Sequence, residues 1–438
     1  MARPTPPLPA EPGPPPEVPF RLRQGALPKT ADVVIVGAGV VGCATAFYAT
    51  AAGLRTVVID ARPALATLTT AAATGAYRLQ HDNAEELALV REGVDLLFDY
   101  PARLGLPGYD IRLRPQGYLF CTTEPAGVER QRRMVERQHG LGLADVELLS
   151  GDEARARFSY ISEEVLSARF RARDGFIDQV RVAVGYALAA SNGPGVERPA
   201  GTAQATFCLD HEVIGLSALA DRVAGVSTAR GSISAPIVIL ATGPFLAQTA
   251  GLAGVSIALA PTLRQRVSIP DLPAVPADAP MTIDDETAAH WRPWLRGALV
   301  LHTDPTTPQG PPSWAPSGTA QAAFRLLDPA SPVSVARISP FWAETWRSGG
   351  ASFSVQAGQY EVTPDHRPYV SPTNVDGLWL NGGYSGHGVM GSAGGSRLLV
   401  DLVHGRSTAP PGGLTADADG RSPFRADRPF EQRERDVL

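Results

Sequence analysis

Apolar residues along this chain keep changing rhythm, and each change marks an element. Val33–Val36 and Thr56–Ile59 are short runs dominated by β-branched residues, the pattern of strands buried on both faces of a parallel sheet. Glu85–Leu104 places Leu87, Val90, Val94 and Leu97 at helical spacing. Arg114–Thr123 reads as a strand, Gly127–His139 as an arginine-rich exposed helix, Val165–Ile177 as strands around Asp174-Gly175, and Gln179–Ala190 as a helix. After a Gly/Pro loop at Asn192–Gly201, three strands are predicted at Ala205–Ile214, Arg222–Thr228 and Ile237–Leu240. From Val255 to about Gln356 the pattern is β-rich, interrupted by the proline-rich Pro305–Pro316. Leu378–Val403 reads as a strand, a glycine-dense turn and a helix, and no internal repeat is present.

The sharpest signal lies between the first two strands. Gly37, Gly39 and Gly42 have G-x-G-x-x-G spacing at the start of a helix, and Asp60 ends the second strand 23 residues after Gly37. In such a unit the first glycine permits the turn, the second lets backbone approach a pyrophosphate, and the third lets helix and strand pack closely. The helix N-terminus then faces the phosphates and the acid takes ribose hydroxyls. This points to a dinucleotide and leaves NAD and FAD both open. A second glycine-rich turn, Gly382-Gly383-Tyr384-Ser385-Gly386-His387-Gly388, precedes the last helix. Its N-terminus offers a positive dipole end, which suits a flavin where negative charge collects on reduction.

Composition narrows the class. The 438 residues suffice for two domains or one composite domain, and a net charge of −5 gives no reason to expect nucleic acid or an anionic membrane. No apolar run approaches the roughly 20 residues of a membrane-spanning helix. Nine prolines in the first 20 residues read as an extended tail and not as a secretion signal. Cys43, Cys121 and Cys208 are too scattered for a metal site or a disulfide framework, so a reducing cytoplasm is the simplest setting. Lys29 is the only lysine.

Several motifs in order carry a family resemblance. They are the glycine fingerprint, Thr69-Thr70-Ala71-Ala72-Ala73-Thr74-Gly75 with Arg78, Gly117-Tyr118-Leu119-Phe120, and Asp174-Gly175-Phe176-Ile177-Asp178. Ala241-Thr242-Gly243-Pro244, Thr363-Pro364-Asp365 with Arg367-Pro368, and Gly383-Tyr384-Ser385-Gly386-His387-Gly388 follow. Over roughly Ala31 to Arg406, and weakly into Ser422-Pro423-Phe424-Arg425, the chain resembles the FAD-dependent D-amino-acid oxidase family, especially its sarcosine oxidase, glycine oxidase and amine dehydrogenase branch. The resemblance implies an α/β fold: a Rossmann-like FAD-binding domain of the glutathione-reductase type with an interleaved β-rich α+β substrate domain. Residues 31–108, 177–253 and 358–406 would form the first and 109–176 with 254–357 the second, between tails at 1–30 and 407–438. It implies hydride transfer from a carbon beside an amine nitrogen to flavin N5, giving an imine.

Carried over by position, Val36, Gly37, Gly39, Val40, Val41 and Gly42 meet the pyrophosphate, and Asp60, Ala61 and Arg62 the adenosine. Thr69, Thr70, Thr74 and Gly75 lie beside pyrophosphate and flavin, and Val213 meets the adenine through its backbone. Thr242, Gly243 and the loop with Gly383, Ser385, Gly386, His387, Gly388, Val389 and Met390 complete the FAD site. Arg78, Tyr360, His387 and His302 are the candidate catalytic residues, with His81 as a further pocket-lining candidate.

The departures are informative. Gly358 stands where sarcosine oxidases carry a flavin-linked cysteine, and Thr69 and Thr70 where others carry a histidine, so the FAD is expected to be non-covalent. Met390 and Tyr360 replace a lysine and an arginine that hold substrate carboxylate in relatives, which suggests a less polar pocket and a bulkier amine. No lysine follows Lys29 to activate dioxygen, so an acceptor other than dioxygen fits at least as well. Two alternatives stand beside amine oxidation. A 2-hydroxy acid or alcohol substrate would need a base such as His302. A flavin-bearing subunit or assembly factor would need a partner, with the Arg130–Arg137 helix face as its contact surface.

Overall fold

The computed structural model describes residues 20–219, 221–405, 413–415 and 421–430. Val33–Val36 lies inside a six-stranded sheet, ordered Tyr369–Pro372, Leu378–Gly382, Ile237–Leu240, Val33–Val36, Thr56–Ile59, Ala205–Cys208. All neighbours pair parallel except the Tyr369–Pro372 edge. Val33, Ile35 and Val58 enter the core on one face, and Val34, Val36, Val57 and Ile59 the core on the other. Burial on both faces explains why these runs lack polar alternation. Helices Val40–Ala51, Ala84–Phe98, Gln179–Ser191 and Gly388–His404 cover the first face. The antiparallel sheet Val213–Leu219, Arg222–Thr228, Gly231–Ser234 covers the second.

A second sheet has eight strands, ordered Ser354–Val362, Ala260–Ile269, Gly297–His302, Ala289–Trp294, Met281–Asp284, Tyr118–Thr122, Ser167–Arg171, Glu147–Ser150. Its one parallel pairing, Met281–Asp284 with Tyr118–Thr122, joins the two chain segments expected to form the substrate domain. Tyr118, Phe120, Met281 and Ile283 project from one face and pack with Ala76 and Phe176 of a small two-stranded ribbon. That ribbon follows the Thr69–Gly75 turn, so one apolar cluster fixes the large sheet against the nucleotide-type layer.

Four expectations need correction. Ala205–Ile214 is not one strand: the chain leaves the sheet after Cys208, turns with Asp210 in left-handed backbone (φ 59°), and enters another sheet at Val213. Backbone bonds from Asp210 to Arg62 and from His211 to Asp60 fix the turn. Glu85–Leu104 breaks at Asp99, because Pro101 cannot continue the first helix and opens a second, Tyr100–Leu104. The β-rich segment contains helices Ala320–Leu327 and Phe341–Arg347, whose Ala323, Leu326 and Trp342 pack near Trp291. The described parts of both tails belong to the domain. Phe20 and Leu22 pack on its core, Phe424 is fully buried, and Arg428 pairs with Asp365 at 2.7 Å. Residues 1–19 lie outside the described set.

No helix among the described residues is long and apolar enough to cross a membrane. The arginine-rich helix spans Pro125–Gly140, and Arg132 and Arg133 pair with Glu129 on the same helix at 2.7 and 3.0 Å. That pairing cancels much of the cationic face assigned to a partner.

Candidate functional site

The site is built where both helix N-termini meet the sheet edge. The Val40–Ala51 helix begins after Gly39 and the Gly388–His404 helix after His387; neither is capped by the side chain of its N-cap residue, and neither has an acid in its first turn. Their free N–H groups therefore favour an anion or a negatively polarised group. Gly37 has φ +107° and leaves a Cβ only 2.3 Å from the Ala241 carbonyl oxygen, so no side chain fits there. Gly42 sits closer still, with a Cβ position 1.9 Å from the Gly37 carbonyl oxygen. Helix, turn and strand are thus in backbone contact, as the spacing predicted.

These termini open into a cavity of about 410 Å³. Asp60, Ala61, Arg62, His211, Glu212 and Val213 line one end. Val36, Gly37, Gly39, Val40, Val41, Thr242 and Gly243 line the middle. Thr69, Thr70, Ala73, Tyr360, Glu361, Gly386, Gly388 and Val389 line the other end. The Asp60 carboxylate accepts from the N–H of Ala38 at 2.6 Å and of Arg62 at 2.7 Å, which locks the acid onto the glycine turn. Burial raises its pKa, against those two bonds. Thr70 Oγ1 accepts from Val40 N–H at 3.2 Å, and Thr69 Oγ1 donates to the Gln359 carbonyl at 3.0 Å. The Thr69–Gly75 turn is thereby clamped between the first helix and the large sheet.

Other expected residues lie behind this wall. Gly42, Thr74, Gly75, Gly383, Ser385, His387 and Met390 do not line the cavity. The Thr74 carbonyl accepts from Arg292 at 2.8 Å, Gly75 turns the chain at φ +65°, and Ser385 Oγ accepts from Thr363 N–H at 3.2 Å. Met390 is 6 % exposed and belongs to the core of the nucleotide-type domain, with its backbone carbonyl packed against Gly93. It therefore says nothing about pocket polarity, contrary to the expectation from sequence. Arg78 is buried, bonded to the Gln80 carbonyl, with its guanidinium 5.8 Å from the Phe120 ring centre. His302 is outside the cavity lining, its Nε2 2.9 Å from the Thr287 carbonyl oxygen.

Sequence reasoning missed four features. The guanidinium of Arg264 lies 5.4 Å from the Tyr360 ring centre, with Nε buried and unbonded among the described residues. Burial lowers its pKa, and Tyr360 and Asp304 oppose that. Alternation along Ala260–Ile269 was the available signal, since Arg264 and Arg266 share a face. His81, Glu86 and His387 form a buried group, with Glu86 Oε1 2.8 Å from His387 Nδ1 and 3.9 Å from His81 Nδ1. Burial raises the Glu86 pKa, but the His387 ring, the His81 ring and Asn83 outweigh it and leave it below the usual range. The His387 ring is thus turned toward this carboxylate, away from the cavity. Trp314, from the proline-rich loop, stacks on Phe245 with ring centres 4.0 Å apart and 22° between planes, both lining the cavity. Glu361 completes the list, with a buried Oε2 that has no partner among the described residues, a feature it shares with Oγ1 of the expected Thr242.

An FAD fits this layout by the chemistry of its walls. Helix N-termini and a side-chain-free glycine turn suit the pyrophosphate, and the two unpartnered oxygens beyond them suit a hydroxylated chain. Cys43, Cys121 and Cys208 are absent from the lining.

Comparison with known proteins agrees. The family model of FAD dependent oxidoreductases, DAO, matches residues 32–402. A "FAD-dependent oxidoreductase domain-containing protein 1" of Xenopus laevis is 23 % identical over 88 % of this chain and 81 % of its own length. A D-amino acid dehydrogenase of Paramagnetospirillum magneticum is 27 % identical over 86 % of this chain and 96 % of its own. Among solved structures, L-proline dehydrogenase from P. horikoshii superposes with a TM-score of 0.73 at 22 % identity, covering 88 % of this chain and 96 % of that one. Glycine oxidase from Geobacillus kaustophilus gives 0.73 at 21 %, covering 89 % and 99 %.

Proposed function

The chain belongs to the DAO family of FAD-dependent oxidoreductases, and on that premise we propose that it oxidises a carbon–nitrogen bond of an amine or amino acid to an imine, which water then hydrolyses. FAD, held non-covalently, supplies the two-electron acceptor when bound. The chain's task is to orient the substrate C–H bond, exclude water and supply electrostatics.

One observation carries the choice of bond. At the Tyr360 end the cavity lining holds no histidine, and behind Tyr360, outside the lining, the half-buried guanidinium of Arg264 lies 5.4 Å from its ring centre. An unprotonated amine gives up hydride without a base, whereas an alcohol needs one to take its hydroxyl proton. His302, the base offered for an alcohol, is held on the Thr287 carbonyl. Arg264, with its unbonded Nε, suits a carboxylate on the same substrate and stands in for the cations missing at positions 360 and 390. The names of two similar proteins, a D-amino acid dehydrogenase and a glycine oxidase, support the reading.

The test is dye-coupled and aerobic turnover over a panel of amines, amino acids and hydroxy acids. Turnover of a carboxylate-bearing amine, faster with dye than with dioxygen, supports the proposal; turnover restricted to hydroxy acids refutes it. Arg264→Met is expected to raise KM for such an amine by about tenfold or more, matching loss of a charge-assisted bond of about 1.5–3 kcal/mol, with uncharged amines little affected. Trp314→Ala removes an aromatic face from the cavity lining and is expected to weaken FAD binding by about 2- to 10-fold, the effect of one aromatic contact of about 0.5–1.5 kcal/mol. Fluorescence titration of the apoprotein with FAD measures that.

A further inference from the structure

We propose that Glu361 holds the hydroxylated chain of FAD as a neutral carboxylic acid, so that loading the cofactor takes up one proton from solvent. The inference rests on the family's cofactor and is independent of the substrate. Glu361 follows Tyr360 on the Ser354–Val362 strand, so the two side chains leave the strand on opposite sides. Its Oε1 accepts from the Tyr384 N–H at 3.2 Å. Its Oε2 is buried and unpartnered among the described residues, and points toward Gly243, whose Cβ position is 3.4 Å away. Thr242, whose Oγ1 is also buried and has no partner among the described residues, lines the same cavity next to Gly243.

Glu361 Oε2 reaches Gly243, the residue after Thr242 against which the Gly37 turn packs, while Tyr360, one residue along the strand, packs on Gly386, and all of these line the same cavity. In FAD a polyol joins the pyrophosphate to the ring, and its hydroxyls can accept a hydrogen bond from an acid as well as donate one to Thr242. Burial pushes the Glu361 carboxyl up to about 7, against the N–H groups of Tyr384 and Gly383, and no cation contributes. Filling the cavity removes water and brings in a pyrophosphate dianion, and both favour the neutral acid.

The neighbouring groups do not reverse this. Tyr384 has a phenol raised by burial and bonded to Asn381 Oδ1. Tyr360, on the same strand, faces Arg264. The segment after Thr242 offers Gly243 and Leu246. His387 faces Glu86. Asp60, Arg62, His211 and Glu212 line the opposite end.

The sign follows. Binding uses the protonated form, so FAD binds most tightly below the carboxyl's pKa and the Kd climbs by about tenfold per pH unit above about pH 7. The experiment titrates apoprotein with FAD from about pH 6 to about pH 8.5, for the wild type and Glu361→Gln, a neutral isostere. Calorimetry in two buffers of different ionisation enthalpy counts protons. Expected are the rising Kd and close to one proton taken up by the wild type at the upper pH. Glu361→Gln should match the wild type at low pH, with a flat profile and no uptake. A flat wild-type profile overturns the proposal. So does a slope that survives in Glu361→Gln, which assigns it to another group such as His211. So does weak binding by Glu361→Gln at every pH, which makes the carboxylate the binding form. Should Glu361→Gln not fold, the wild-type proton count alone decides.

Discussion

Gly42→Val is expected to weaken FAD binding by about 100-fold, on the order of 3 kcal/mol. A Cβ at Gly42 lies 1.9 Å from the Gly37 carbonyl oxygen, and that atom is backbone with no rotamer to yield. The helix must move off the strand, carrying its N-terminal N–H groups away from the pyrophosphate position, while Val40 loses its register with Thr70. Gly140→Ala is the control: its Cβ position has nothing within 4 Å, and the glycine ends an exposed helix. It should bind FAD as the wild type does. Fluorescence titration of both apoproteins, with circular dichroism to confirm folding, checks the pair. Should the valine variant not fold, Gly42→Ala, which makes the same first clash, replaces it.

Arg397→Met is expected to destabilise the fold by about 3–5 kcal/mol. Arg397 is buried on the last helix and bonds Glu92 at 2.5 Å, Asp401 at 2.6 Å and the Leu414 carbonyl at 2.5 Å. Both carboxylates are 6 % exposed, so removing the cation leaves negative charge in a low-dielectric core. The same removal unpins Leu414. Replacing all three groups, with Glu92→Leu and Asp401→Leu added, should recover most of the loss, because an apolar trio has no charge to bury. Urea denaturation of the three proteins measures this. A single variant as stable as the wild type would show that the network carries little stability.

The nucleotide-type layer was legible because its information is contiguous. Strand, glycine turn, helix, strand and acid occupy residues 33–60, and each step has a local physical reason. The large sheet was legible only as β-rich. Its key pairing joins Met281–Asp284 to Tyr118–Thr122, and no local pattern encodes so distant a partner. The same limit hid the group of His81, Glu86 and His387, which tertiary packing alone assembles. A position inherited from relatives suggests pocket lining for Met390, whereas the packing of the last helix puts it in the core. Arg264 and Glu361 escaped notice for a simpler reason. Each is an ordinary charged residue in a strand, and its role appears only once burial leaves one of its atoms without a partner.

Anaerobic mixing of the FAD-loaded protein with a carboxylate-bearing amine, following the flavin's visible absorption, tests the central claim most directly. Amine oxidation predicts bleaching of the flavin in a single turnover, with the imine-derived carbonyl compound formed in equal amount. Flavin that stays yellow with every amine and bleaches with a 2-hydroxy acid would contradict it.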